Sequence, residues 1–295
     1  MTQGGVIEHG YADANGVRLH VARCGDGPLM LFLHGFPEYW AMWRPFLEHF
    51  GAHRRCAVAP DLRGYNLSDK PPQVDAYKAQ QLVADVLALA ARYTQDKFVL
   101  VAHDWGGAVA WSVAIAHPER LSRLVMINSP HPYIFWRELT RSPAQQKASE
   151  YMLLFRSPKA ERVLSENGYA RLLGAFSDLD PAARAALVEA WSQPGALTGG
   201  LNYYRASPLY PPSPDDPGAA RLRLEPKDFM VRVPTLVLWG ERDTALLPGC
   251  LEGLEAVVPD LEIVRIPDAT HWVTREKTAL LIAEMERWIN RRNVP

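Results

Sequence analysis

Along the first part of the chain, short apolar runs alternate with longer stretches of helical spacing. Residues 17–23 (VRLHVAR) alternate, as a half-buried strand does. Residues 29–34 (LMLFLH), 56–60 (CAVAP), 98–102 (FVLVA) and 121–128 (LSRLVMIN) are short apolar runs closed by glycine, proline or polar loops. Such runs belong to strands buried on both faces of a parallel sheet. Between them, residues 40–50, 79–93 and 106–117 carry helical spacing, the last stopped by Pro118. The alternation then ceases. From 132 to 226 only helical segments broken by proline and glycine appear, with a strong breaker run in PLYPPSPDDPGAA. It resumes with PTLVLWG, a helix expected at 251–258, the strand LEIVRIP and a closing amphipathic helix at 277–292. This predicts an α/β fold: a mostly parallel, twisted sheet with helices on both faces. The core would be 1–131 and 227–295, with 132–226 inserted as an α-helical cap.

Within that frame VAHDWGG, residues 101–107, reads as a strand, a tight turn and a helix. Reactive groups of doubly wound sheets sit at the carboxyl ends of strands, and Asp104 lies at such an end. A sharp strand-to-helix turn strains its central residue and needs small neighbours. Ala102, Gly106 and Gly107 meet that need. An aspartate here also suits a helix cap. The stretch HGFP, 34–37, follows another strand, and its glycine lets N–H groups turn inward. The N–H groups of Phe36 and Trp105 would then form an oxyanion hole.

Composition narrows the picture. The chain has 295 residues, 48% hydrophobic and 22% charged, with a formal net charge of −1. That is ordinary for a globular protein and gives no reason to expect a nucleic-acid partner. Cys24, Cys56 and Cys250 are far apart and odd in number, with no CxxC or Cys/His cluster, so neither a metal site nor a disulfide framework is expected. The first residues lack an apolar leader core, and no run is long enough to span a bilayer. A cytoplasmic protein without a membrane partner is the expectation.

HGFPEYWAMW, DLRGYNLSDKP, HDWGGAVAW and the late His271-Trp272 pair together resemble the α/β-hydrolase superfamily, in its epoxide hydrolase and dehalogenase branch. The likeness runs over nearly the whole chain. Asn66 stands where relatives usually carry glycine; asparagine tolerates left-handed backbone angles, so the turn should survive. The resemblance makes His271, just after the strand LEIVRIP, the catalytic base. His34 and His103 would organise loops, and His9, His20, His49, His53, His117 and His131 would be surface or structural. The acid that orients the base should be a carboxylate at a strand end. Asp243 in GERDTALLP fits, with Glu241 as runner-up. The segment where some dehalogenases place this acid, INSPHP, holds no carboxylate. The order Asp104, Asp243, His271 is nucleophile, acid, base.

A carboxylate nucleophile suits attack on a saturated carbon. It leaves an ester that water can cleave, where serine would leave an ether. Epoxides leave as alkoxides and need a proton. By resemblance Tyr151 and Tyr204 would supply it, with Tyr203 pointing elsewhere. The expected substrate-binding set is Phe36, Trp105, Tyr151 and Tyr204, and Phe135, Trp136, Met152, Phe155 and Trp191 could line the pocket. Fluoroacetate dehalogenases carry Arg after the nucleophile and a His-Trp pair in the cap; here these positions are Trp105 and Glu150-Tyr151. Haloalkane dehalogenases share the Trp but often place Asn where Phe36 stands. The reading is therefore a cofactor-free, metal-free epoxide hydrolase acting on a small epoxide and water, as monomer or homodimer. A dehalogenase is the alternative, and a non-catalytic binding protein on this scaffold the more distant one.

Overall fold

The computed structural model describes residues 5–176 and 179–291. Its centre is an eight-stranded sheet in the order β1-β2-β4-β3-β5-β6-β7-β8. The strands are β1 (Glu8–Ala14), β2 (Val17–Cys24), β3 (Leu29–Leu33), β4 (Cys56–Pro60), β5 (Phe98–His103), β6 (Leu121–Ile127), β7 (Thr235–Gly240) and β8 (Leu261–Ile266). The pairs β1·β2 and β2·β4 are antiparallel and the others parallel. The chain thus has the expected α/β-hydrolase architecture. Strands β3, β4, β5 and β7 are buried along their whole length, which is why they read as unbroken apolar runs. β1 escaped the sequence reading for the opposite reason. EHGYADA is an edge strand with five of its seven residues exposed, so it carries no apolar signal.

Helices cover both faces. α2 (Ala79–Ala91) and α3 (Asp104–Ala116) pack on one core layer through Leu82, Val86, Val109 and Val113. α1 (Arg44–Ala52), α10 (Val273–Glu276) and α11 (Thr278–Arg291) close the other through Phe46, Phe50, Val273, Leu281 and Met285. Successive strand residues alternate between the layers, Leu31 and Leu33 into the first and Met30 and Phe32 into the second. Arg292, the expected last residue of the closing helix, lies outside the described residues.

Between β6 and β7 the chain forms α4 (Pro132–Arg141), α5 (Pro143–Ala148), α6 (Tyr151–Arg156), α7 (Ala160–Leu173), α8 (Pro181–Ser192) and α9 (Ala196–Ala206). α4, α5 and α8 each begin with proline in the first turn, where its missing N–H costs nothing. α7 is broken at Glu166–Tyr169 by non-helical angles. One expectation fails. Residues 251–258 form no α-helix but two 3-10 turns, Pro248–Leu251 and Leu254–Ala256. Gly253 separates them with φ 70°, a left-handed angle that ends a helix. Asn66 adopts φ 40°, as its amide allows, so the loop turns there without glycine.

Candidate active site

The site grows from the carboxyl ends of β3, β5, β6, β7 and β8. Asp104 follows β5 at φ 49°, a strained angle for a residue with a side chain. Its carboxylate takes the Phe36 N–H at 2.7 Å and is also bonded by the Trp105 N–H. The N-cap of α3 is His103, so Asp104 is spent on the neighbouring loop rather than on capping. Two glycines make the approach possible. A Cβ on Gly35 would lie 2.3 Å from the Asp104 carboxylate, and one on Gly106 2.4 Å from the Leu33 carbonyl oxygen. Ser129 adds a hydroxyl donating to the Asp104 carbonyl at 2.8 Å.

His271 follows β8. Its Nε2 lies 3.7 Å from Asp104 Oδ2, and its Nδ1 lies 2.7 Å from Asp243 Oδ2. Asp243 is buried and fully engaged. Oδ1 accepts the N–H groups of Ala245 at 2.8 Å and Leu246 at 2.9 Å, and Oδ2 accepts Asn128 Nδ2 at 2.9 Å. Asn128 is a residue the sequence reading passed over. It sits at φ 36° after β6, accepts the Gly240 N–H at 2.8 Å and so ties β6, β7 and Asp243 together. Its signal in the sequence is the amide of the INSPHP segment, a polar residue directly after a buried strand. Glu241, the runner-up acid, pairs instead with Arg265 at 3.0 Å near the surface.

The charges are coupled. Burial opposes a proton on His271, but Asp243, Asp104 and Glu38 outweigh it and raise the imidazole to about 9. Burial would raise Asp243, yet His271 and the donors around it hold the carboxyl below its usual value. Asp104 is pushed up by burial against the pull of His271 and the two N–H groups. Glu38, also unforeseen, is buried beside Arg275, with Arg275 Nε 2.6 Å from Oε1, and burial raises its carboxyl. Its sequence signal was the charge directly after HGFP.

The other histidines are not in the chain of contacts to Asp104. His103 Nε2 donates to the His271 carbonyl at 2.9 Å and is kept neutral by burial, with its pKa lowered to about 3. His34 accepts the Leu62 N–H at 3.0 Å. His20 pairs with Asp61 at 2.7 Å and touches His9 at 3.2 Å, and His131 donates to the Phe229 carbonyl at 2.9 Å.

Above Asp104 lies a cavity of about 80 Å³ whose wall includes Trp105, Phe135, Tyr151, Met152 and Tyr204. Tyr151 opens α6 and Tyr204 lies near the end of α9, with ring centroids 6.2 Å apart. Burial, and next the Asp104 charge on Tyr151 and the Tyr151 ring beside Tyr204, lift both phenols far above their ordinary pKa. Both therefore stay protonated. Tyr203 turns away and donates to the Arg63 carbonyl at 2.9 Å. The Phe36 ring turns away too, packing on Phe155 at 5.3 Å and Tyr204 at 5.5 Å, so its N–H is what faces Asp104. Trp136 and Trp191 are outside the cavity wall. Their indole N–H groups are committed to the Ala219 and Pro37 carbonyls.

Comparison with known proteins identifies the family and the fold. A family model described as the alpha/beta hydrolase fold matches residues 28–278. The AB hydrolase superfamily protein YfhM of Bacillus subtilis is 37% identical over 92% of this chain and 94% of its own length. Epoxide hydrolase 3 of Mus musculus is 37% identical over 88% of this chain and 70% of its own. The crystal structure of Bacillus megaterium epoxide hydrolase with an inhibitor superposes with a TM-score of 0.88 at 33% identity, covering 95% of this chain and all of that one. The chain belongs to the α/β-hydrolase superfamily, in the branch that holds the epoxide hydrolases.

Proposed function

We propose that the protein hydrolyses an epoxide to a vicinal diol through an ester formed on Asp104. One observation carries the reading: two protonated phenols, Tyr151 and Tyr204, share an apolar cavity with a strand-end carboxylate. The phenols donate to the oxirane oxygen while Asp104 attacks the adjacent carbon from the opposite side. Ring opening leaves an alkoxide, which takes its proton from a phenol.

The second half follows from the charges. Esterification removes the negative charge 3.7 Å from His271, one of those that hold its proton. The imidazole then gives that proton up through solvent to the phenolate that ring opening left, which restores the phenol, and the neutral ring can take one from water. Water adds to the Asp104 carboxyl carbon. The N–H groups of Phe36 and Trp105 stabilise the oxyanion, and collapse releases the diol. Asp243, itself held by three N–H donors, keeps the ring oriented.

Residues 132–226 act in this reading as the cap that carries the phenols, on a core of 1–131 and 227–295. Substrate and water are the only partners required, with no cofactor. A monomer or homodimer in the cytoplasm is the state we propose. Among the described residues no helix is long and apolar enough to cross a membrane, and Cys24, Cys56 and Cys250 are all free thiols.

The cavity also suggests the substrate's shape. A second cavity of about 360 Å³ adjoins the first across Trp105, Ala108, Pro132, Ser207 and Leu209. Its polar side chains are already engaged: Ser112 donates to the Ala108 carbonyl, Tyr203 to that of Arg63 and Tyr77 to that of Pro71, and Ser207 accepts the Leu209 N–H at 3.1 Å. An apolar substituent on the oxirane fits that space. The test is diol formation from styrene oxide and from a longer terminal epoxide, with fluoroacetate and 1-chlorobutane alongside. Diol without halide supports the reading, and halide release without diol overturns it.

A further inference from the structure

Away from the catalytic edge, on the α1 and α11 face of the sheet, three potential ligands converge. His49 and His53 stand one helical turn apart at the end of α1, and Glu286 reaches them from α11. One ligand atom from each lies within 4.8 Å of the others. The imidazoles stack with centroids 4.4 Å apart and planes 28° from parallel.

Two details go beyond proximity. His53 Nδ1 lies 2.6 Å from the His49 carbonyl oxygen. That bond needs the proton on Nδ1; in the neutral ring Nε2 is then a bare lone pair, the tautomer a ligating histidine takes when its other nitrogen bonds a backbone carbonyl. His49 Nε2 lies 2.9 Å from Glu286 Oε1 yet is not aligned for a hydrogen bond with it or with any other group among the described residues. Two such atoms, close but not aimed at each other, suit two ligands of one cation better than a donor and its acceptor.

We propose that His49, His53 and Glu286 form a site for a zinc-class divalent transition metal, clamping the last helix to α1. Two imidazoles and a carboxylate select such an ion over magnesium or calcium, which take oxygen ligands. Ligand atoms about 2.0–2.1 Å from zinc stand roughly 3.3 Å apart in a tetrahedron. Coordination requires the two rings, now stacked 28° from parallel, to open until both in-plane lone pairs face one ion; His53 is exposed and His49 half-buried, so both rings have room to turn, and water completes the shell. The site is independent of the hydrolytic reading, since none of its residues touches the Asp104 cavity.

The test is calorimetric titration of the chelator-treated protein with zinc chloride alone, then with magnesium chloride. Parallel runs use His53→Ala, His49→Ala and Glu286→Gln, with far-ultraviolet circular dichroism as a check on folding. His53 is exposed, so that variant should fold normally. One zinc per chain is expected, weakened at least about tenfold in each variant, with no saturable magnesium binding. A hundredfold excess of zinc over the wild-type Kd should raise the unfolding midpoint of the wild type by about 3–6 °C and that of His53→Ala by about half as much or less. No saturable zinc binding, or binding unchanged in the folded His53→Ala variant, would overturn the site. So would a midpoint that follows pH but not zinc, the mark of a simple His49–Glu286 ion pair.

Discussion

The floor and the roof of the catalytic cavity are held by different physics. On the floor, each group is fixed by the backbone or by a buried hydrogen bond. Asp104 is pinned by the Phe36 and Trp105 N–H groups and a strained turn, Asp243 by two N–H groups and Asn128, and His271 by Asp243. On the roof, Tyr151 and Tyr204 are placed mainly by ring packing, with side-chain hydrogen bonds among the described residues only to each other and from Trp105 to Tyr204. Tyr204 meets Phe36, Trp105, Phe155 and Tyr151 edge to face at 4.9–6.2 Å. Directional bonds hold a group to a fraction of an ångström, while aromatic packing yields more readily. In the proposed mechanism the floor carries the chemistry common to both halves of the reaction, and the roof carries leaving-group assistance and substrate choice.

The largest effect should come from the floor. Asp104→Asn is expected to lower steady-state turnover of styrene oxide by about 10⁴-fold or more, with the unfolding midpoint little changed. His271→Gln should separate the half-reactions: ring opening persists, the ester accumulates to one equivalent by intact-protein mass, and its decay slows about 10³-fold. Loss of ester formation in that variant would blur the division between steps. On the roof, Tyr151→Phe with Tyr204→Phe should slow ring opening about 10²–10⁴-fold without trapping ester, measured by pre-steady-state diol and ester yields.

A pH series sharpens the same contrast. In the resting enzyme His271 holds its proton up to about 9, partly through the Asp104 charge. In the ester that charge is gone, so the proton leaves at lower pH. Ester decay should therefore rise with pH through a midpoint below 9, and a midpoint at or above 9 would contradict the coupling. Ring opening should fail on the acid side at a pH above the ordinary carboxylate value, because burial raises Asp104. The smallest effect is selective. Ser112→Phe, which fills the second cavity, should cut kcat/KM for a long terminal epoxide about tenfold and leave a four-carbon epoxide unchanged.

Much of the floor was legible in the chain because its residues follow buried, continuous apolar strands: FVLVA before Asp104, TLVLW before Asp243, LEIVRI before His271. What was hidden has specific causes. β1 is an exposed edge and shows no periodicity. The 251–258 stretch has helical apolar spacing, but Gly253 at positive φ overrides it. Asn128 and Glu38 act through partners distant in sequence, Asp243 and Arg275, and only the folded sheet brings those together. Which of two adjacent tyrosines faces the cavity was readable from the resemblance, and packing explains it: the Tyr203 hydroxyl is occupied by Arg63.

The central claim, that Asp104 bonds covalently to the substrate carbon, is tested most directly by one turnover in heavy-oxygen water with enzyme in excess over epoxide. The account predicts a first-turnover diol carrying only ordinary oxygen and heavy oxygen in the peptide containing Asp104. Heavy oxygen in that first diol, with the Asp104 peptide unlabelled, would mean that water attacks the oxirane directly and would contradict the account.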